Sequence, residues 1–342
     1  MMKALLIDVD GLLPNLALMK LSAFHRRQGD ETFLLRLTHY WYKHRVGKPI
    51  DMRINTMAGR PDRAYISCIF SKNRDNALSM KVLLESMGVP VDVGGVGVDI
   101  TKTLPDDVEH IMPDYSLYPG LDYSLGYTSR GCLRKCPWCI VWRKEGLVQE
   151  WASLSEFLSP KHEKVILLDN NLLAAPNWEQ VLLELIRRRL KVCFTQGLDP
   201  RLVTDSNARL LSICKYRNYN WTHRRLYFSF DVLEEEDAVL RTIKVLRGHD
   251  VPPKRLLFYV LVGYGKRPEE YTYAYFLEHD YHRFEVLRDQ GTLPYIMVYN
   301  KRRDVPLLGA FQRWVNGHWY NSKPLLDYVQ HTSPKIYASL QR

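Results

Sequence analysis

From Tyr123 onward the chain repeats one pattern: a short apolar run, a polar residue at its end, then a stretch with helical spacing. Six such runs are read as strands, Tyr123 to Ser129, Lys164 to Asp169, Lys191 to Gln196, Arg225 to Asp231, Leu256 to Gly263 and Pro294 to Asn300. Between the second and third, Asn177 is placed to cap a helix whose Trp178, Val181, Leu182, Leu185 and Ile186 follow i, i+3, i+4, i+7, i+8 spacing. Strands alternating with amphipathic helices require parallel pairing with helical crossovers, so residues 123–300 are expected to form an incomplete (β/α) barrel of six strands. In such barrels the chemistry sits at the C-terminal strand ends, where these runs turn polar.

The first 105 residues carry a shorter version of the same alternation. Lys3-Ala-Leu-Leu-Ile7, Ala64 to Phe70 and Val89 to Val93 read as strands. Helical segments run through Leu18, Leu21 and Phe24, closed by Gly29, and through Leu78, Val82 and Leu83. A parallel, Rossmann-like α/β layer is expected over 1–105, with Cys68 as a core thiol. Leu104 to Pro119 holds three prolines and several acids, which places a linker at 106–122. Pro113-Asp-Tyr-Ser-Leu117 and Leu121-Asp-Tyr-Ser-Leu125 echo each other too briefly for a repeat architecture. Residues 301–342, including Arg313 to Tyr320, are expected to pack on the barrel as a C-terminal extension.

Composition narrows the class. A chain of 342 residues, 46% hydrophobic and 25% charged, is that of a soluble globular protein. Six cysteines in this length make no disulfide framework and fit a reducing compartment. The opening apolar run is too short for a signal peptide, and no stretch reaches the ~20 apolar residues of a membrane span, so the reading is cytoplasmic with no membrane partner. A net charge of +10 invites nucleic acid as a partner. Thr38 to Arg45, Arg187 to Arg189, and Lys301 to Arg303 followed by Trp314, Trp319 and Tyr320 are the candidate segments. Arg187 to Arg189 also suits a solvated helix terminus, where cations oppose the dipole.

The sharpest chemical signal is Gly131-Cys-Leu-Arg-Lys-Cys-Pro-Trp-Cys139, which follows the first barrel strand. C-x3-C-x2-C is tight enough for Cys132, Cys136 and Cys139 to hold one metal centre with a fourth position open. A zinc knuckle completed by a distant residue, or unligated thiols, are the bland readings of the same spacing. Cys193 and Cys214 lack paired thiols and read as packing, and His162, His223 and His318 lack ligand-spaced partners.

With Trp138 at the aromatic position, the motif resembles that of the radical S-adenosylmethionine (SAM) enzymes, C-x3-C-x-aromatic-C. The resemblance implies a [4Fe–4S] cluster on the three thiolates and SAM chelating the fourth iron. An electron from flavodoxin or ferredoxin would then cleave SAM to a 5′-deoxyadenosyl radical. It further implies roles for the strand ends. Asp169, Asn170 and Asn171 stand where the family's Gly-Gly-Glu binds the SAM amino group. Gln196, with Asp199 and Arg201, would contact SAM or substrate. Ser229 and Asp231 correspond to the ribose and carboxylate region. Gly263, flanked by Val262 and Tyr264, resembles the adenine-contact strand, and Asn300 ends the sixth.

The N-terminal layer resembles the domain preceding the barrel in cobalamin-type members, through Pro14 to Gly29 and Gly94, Gly95 and Gly97. Cobalamin is not the favoured cofactor, because the D-x-H-x-x-G signature is missing and Asp10 stands where its histidine would. Asp8-Val-Asp-Gly11 also resembles the opening of haloacid-dehalogenase-type phosphatases, but Leu12 replaces their Thr. Apart from Ser67, an ordered set around Mg²⁺ is lacking, so a strand-end turn is expected. What the radical acts on is open among nucleic acid, peptide and small metabolite. Methyl transfer would follow if cobalamin were held, and methylthio transfer is disfavoured for want of a second cysteine trio. The contrasting class is a non-catalytic Fe–S or zinc protein binding nucleic acid through its basic surface.

Overall fold

The computed structural model describes residues 1–37, 59–302 and 304–340. The basic aromatic run Thr38 to Arg45 and Arg303 lie outside the described residues. The chain forms two compact units, Met1–Gly126 with Ala152–Val165, and Tyr127–Trp151 with Ile166–Arg342.

Unit 1 is built on strands β1 (Lys3–Asp8), β2 (Glu31–Arg36), β3 (Arg63–Ser67) and β4 (Val91–Gly94), ordered β2-β1-β3-β4. All three pairings are parallel, with Leu5 in register with Phe33 on one side and Ala64 on the other. Flanked on both edges, β1 is buried from Ala4 onward, which is why it reads as a continuous apolar run. Helix α1 (Leu16–Arg27) is capped by Asn15, whose Oδ1 accepts from Leu18 N at 3.2 Å. Its last turn carries His25, Arg26 and Arg27, as the dipole favours. Helix α2 (Arg74–Ser86) buries Ala77, Met80 and Leu84, while Val82 is 66% exposed, so the inward face differs from the one the apolar residues suggest. Cys68 packs in the core with Ile7, Ile66 and Leu84.

Residues 106–122, expected as a linker, are instead part of unit 1. Lys20 pairs with Glu109 at 2.9 Å, Ser22 donates to Asp114 at 2.6 Å, and His110 meets Glu156 at 2.9 Å. A segment anchored by such polar contacts, the Lys20–Glu109 pair buried among them, is bound to its domain whatever its proline content. Strand β5 (Ser124–Gly126) belongs to the same unit, as do residues 152–165.

In unit 2 a two-residue antiparallel ladder joins β6 (Ser129–Arg130) to β7 (Gln149–Glu150) and closes the neck of the cysteine loop. Beyond it run β8 (Lys164–Leu167), whose second half lies in this unit, β9 (Lys191–Phe194) and β10 (Lys215–Tyr216), ordered β10-β9-β8. Strands β11 (Leu226–Ser229), β12 (Leu256–Val262) and β13 (Leu293–Val298) form a second parallel sheet in that order. The single strand run expected from the sequence is thus divided. β10 occupies the edge of β9 at Lys191 and Val192, and the link onward to β11 narrows to a parallel bridge between Leu198 and Phe228. The ladders are also shorter than the apolar runs, so Asp169, Gln196 and Asp231 stand in loops just past them and Asn300 in a short 3-10 turn, Tyr299–Lys301.

Helix α3 (Trp178–Arg187) buries Val181, Leu182 and Leu185. Just past its end Arg188 reaches back to Glu184 at 2.7 Å, a solvated helix end. Helices α4 (Asp205–Ile213), α5 (Glu236–Gly248), α6 (His282–Asp289) and α7 (Pro306–Asn316) follow their strands. The tail makes aromatic contacts within unit 2. Phe311 of α7 lies edge-on to Phe276 at 5.0 Å, and Trp314 sits 5.0 Å from Phe284. Among the described residues no helix is long and apolar enough to cross a membrane.

Candidate functional site

The cysteine loop is closed by a glycine. Gly131 has φ +86°, and a Cβ there would lie 2.3 Å from the carbonyl oxygen of Leu147. Only a residue without a side chain lets the two arms approach so closely. Cys132 N then bonds to Gly146 O at 3.2 Å.

Asp169 anchors the entrance to this loop. It is buried, and Oδ1 accepts from Thr128 Oγ1 (2.6 Å), Ser129 N (2.6 Å) and Ser129 Oγ (2.7 Å), while Oδ2 accepts from Thr128 N (3.2 Å). A carboxylate has about four lone-pair positions, so the loop neck occupies this one. Burial pushes its pKa up, and these hydrogen bonds pull the other way. In the structure Asp169 ties Thr128 and Ser129, at the entrance to the loop, to the end of β8. Asn170 Oδ1 accepts from Gly131 N at 3.0 Å, and Asn171 Nδ2 donates to Cys132 Sγ at 3.4 Å. Three consecutive strand-end side chains thereby grip the loop at three successive points.

Cys132, Cys136 and Cys139 are free and half-buried. Cys139 N bonds to Cys136 O at 3.0 Å, and Trp142 Nε1 donates to the same oxygen at 3.2 Å. Burial pushes the Cys136 thiol up to about 11, with Cys139 and Cys132 adding to the shift and Arg201 opposing it. Burial also raises Cys139, again with Cys132 contributing, so the three thiols lie within one another's electrostatic reach. Among the described residues no His, Cys, Asp and Glu set is drawn into a closed metal-binding cluster. The donor set itself suits a thiophilic centre. Three soft ligands on one pinned loop, with the buried Asn171 Oδ1 left without a partner beside Cys132, fit an iron–sulfur cluster better than a hard cation.

A charged network surrounds the loop. Arg134 Nε meets Asp199 Oδ2 at 3.0 Å, Arg201 Nε meets Asp199 Oδ1 at 2.7 Å, and Arg201 Nη1 reaches Glu235 Oε1 at 2.8 Å. Burial raises the Asp199 carboxyl, but Arg201 and then Arg134 more than offset it and hold it below its ordinary value. Glu235 Oε2 accepts from Asp231 N at 2.9 Å, and Asp231 Oδ1 accepts from Leu261 N at 3.1 Å. Burial, then the charge of Glu235, pushes Asp231 up to about 6, while a hydrogen bond from Trp138 pulls it back.

Aromatic contacts tie the remaining loops to the cysteines. Trp138 lies edge-on to Tyr264 at 5.1 Å, and Tyr264 lies edge-on to Tyr299 at 4.9 Å. Gly263, just before Tyr264, is held on both sides: its N–H donates to Asp280 Oδ2 at 3.2 Å and its carbonyl accepts from Arg302 Nη1 at 2.8 Å. Tyr271 and Arg283 complete the Asp280 cluster.

The structure therefore gathers Cys132, Cys136, Cys139, Trp138, Asp169, Asn170, Asp231 and Gly263 into one connected region. Gln196 and Asn300 are exposed and stand outside this network, and Ser229 is half-buried on β11 in register with Tyr259. Arg134, Glu235 and Asp280 were not singled out from the sequence, and Arg302 entered only as part of the basic run Lys301 to Arg303. Arg134 lies inside the cysteine motif and Glu235 four residues after Asp231, but neither type nor spacing marks them.

Unit 1 places its own polar strand ends differently. Asp8 accepts from Gly11 N at 2.8 Å and Tyr118 OH at 3.1 Å, and meets Arg36 at 3.3 Å. Asp10, where a cobalamin histidine would stand, accepts from Ile69 N, Phe70 N and Asn73 Nδ2 at 2.7–2.9 Å. The D-x-D-G segment is a strand-end turn whose carboxylates staple neighbouring loops. His162 is satisfied by Ser124 Oγ at 3.0 Å, and Cys193 and Cys214 are buried, each pushed to about 12 by that burial.

No protein-family model matches the chain, and no curated protein matches it in sequence.

Proposed function

We propose that the chain is a radical SAM enzyme, with unit 2 a partial (β/α)6 barrel and unit 1 a Rossmann-like domain. The observation that carries this reading is the cysteine loop: three half-buried thiols beside the polar ends of parallel strands, pinned by Asp169, Asn170 and Asn171. The parallel order β11-β12-β13, reached from β9 through Leu198 and Phe228, supports the barrel assignment. All six cysteines are free, which supports a reducing compartment.

Cys132, Cys136 and Cys139 are the proposed ligands of a [4Fe–4S] cluster, with flavodoxin or ferredoxin as reductant. With SAM on its remaining iron, such a cluster supplies the electron that yields a 5′-deoxyadenosyl radical for attack on an unactivated C–H bond. The chain's own part is positioning and exclusion. Asp169 and Asn170 fix the loop so that the thiols stay in place. Trp138, Tyr264 and Tyr299 form a half-buried aromatic row beside the loop. Asp231 is the proposed contact for a ligand's polar groups, with Ser229 on the same strand and, farther off past β9 and β13, Gln196 and Asn300. Near neutral pH the raised pKa lets Asp231 accept a hydrogen bond or hold a proton. Cobalamin is not proposed for unit 1, because Asp10 is occupied by three loop donors.

The test is anaerobic reconstitution with iron and sulfide, EPR of the reduced protein with and without SAM, and chromatography for 5′-deoxyadenosine. A cubane signal that changes on SAM addition, with nucleoside formed, is the expected result. A colourless protein retaining zinc and cleaving no SAM would overturn the proposal in favour of a binding protein.

A further inference from the structure

The three cysteines do not share one environment. Cys132 Sγ receives two N–H groups, the backbone of Arg134 at 3.3 Å and the side-chain Nδ2 of Asn171 at 3.4 Å. Cys136 has instead the positive charge of Arg201 nearby, and Cys139 a backbone N–H from Val141. Cys132 is thus the thiol with a side-chain donor, which substitution can remove.

Asn171 is only 4% exposed, and its Oδ1 has no partner among the described residues. Burying an amide is unfavourable unless its polar atoms are bonded, and here Nδ2 is bonded to sulfur. A neutral thiol is a weak acceptor and gives little return for that burial. A thiolate is a strong one, because the bond becomes charge-assisted in a poorly screened setting. The arrangement makes physical sense if Cys132 carries negative charge, as a metal-bound sulfur does.

We infer that Asn171 is a positioning residue that sets the reduction potential of the cluster, an inference resting on the cluster assignment proposed above. Adding an electron increases the negative charge shared by the cysteine sulfurs, and an N–H directed at one of them stabilises the reduced state more than the oxidised one. Removing that donor must lower the potential.

The experiment is an EPR-monitored redox titration of the reconstituted full chain as wild type, Asn171→Leu and Asn171→Asp, with iron and sulfide measured in each. In Asn171→Leu the midpoint is expected to fall by about tenfold in the one-electron equilibrium, about 59 mV. In Asn171→Asp, which places an anion beside the sulfur, it should fall further, each midpoint being read from the clusters that the iron and sulfide measurements show the variant to hold. An unmoved midpoint in a fully loaded Asn171→Leu overturns the inference. Should Asn171→Leu alone lose its iron, Asn171→Asp decides by the same criterion. Loss of iron from both also overturns it, because Asn171 would then be needed to bind the cluster, not to tune it. A wild-type chain that takes up no cluster fails the underlying assignment, a result seen before any variant is compared.

Discussion

Both units end parallel strands in carboxylates beside a cysteine, yet the two strand-end regions are finished differently. In unit 1, Asp8 and Asp10 are bonded to neighbouring loops, and Cys68 is fully buried, its thiol pushed to about 12 by burial and then by Asp10. In unit 2, Cys136 and Cys139 remain partly open, Asn171 keeps an unpartnered oxygen, and Asp231 sits near pH 6. Asp169 there resembles the unit 1 pattern, and it too serves a loop. Groups left with unused hydrogen-bonding or ligating capacity, not the presence of acids and thiols, separate the candidate site from a strand-end turn.

The strongest way to break this contrast is to remove one thiol from each unit. Cys136→Ala should abolish cluster retention, with iron per chain falling to background after reconstitution and gel filtration. Cys68→Ala should leave iron content unchanged and lower stability by roughly 1 kcal/mol, since it deletes one small core group. Equal iron loss in the two variants would show that the contrast does not mark the metal site.

A pair of glycines tests the same contrast through the backbone. Gly131 (φ +86°) approaches Leu147 O, and Gly95 in unit 1 (φ +94°) approaches Cys68 O; a Cβ would lie 2.3 Å from the oxygen in each case. Alanine at either site meets both a left-handed backbone and a carbonyl that cannot move aside alone. We expect a loss of about 2–4 kcal/mol in each, measured by chemical denaturation. Only Gly131→Ala should also lower iron retained per folded chain. If it keeps full iron, the tight neck has no part in holding the thiols.

The parts that sequence made legible are those where one residue's environment follows from its near neighbours. β1 and β12 are long apolar runs because their backbones are flanked on both sides, and the cysteine spacing is a local property of nine residues. β2 escaped notice because Glu31 and Arg36 bracket a short apolar core directly after a helix, and β10 is two residues whose pairing depends on where β9 lies. The network of Arg134, Asp199, Arg201 and Glu235 joins three chain segments, so no window of sequence contains it. Asp169 shows the limit most directly. Its four bonds to Thr128 and Ser129 depend on a hairpin forty residues earlier, which nothing near Asp169 in the sequence announces.

The smallest effect is the most discriminating for Asp231. Its folded pKa is raised from 3.8 to about 6. Below pH 3.8 the carboxyl is protonated in folded and unfolded chains alike, and the shift has no influence on stability. Between 3.8 and about 6 the unfolded chain releases the proton first, so folding stability falls as pH rises, and above about 6 the loss is complete. Asn in place of Asp keeps an acceptor for Leu261 N and cannot ionise. Asp231→Asn should therefore match the wild type near pH 4 and exceed it by about 1–2 kcal/mol near pH 7, a figure reduced from the full shift because the side chain is only partly buried. Denaturation midpoints across that range provide the measurement. A gap between the two proteins that stays constant from pH 4 to 7 would mean Asp231 is an ordinary solvated carboxylate. It would then belong with the satisfied acids of unit 1, and the contrast would have to rest on the thiols and Asn171 alone.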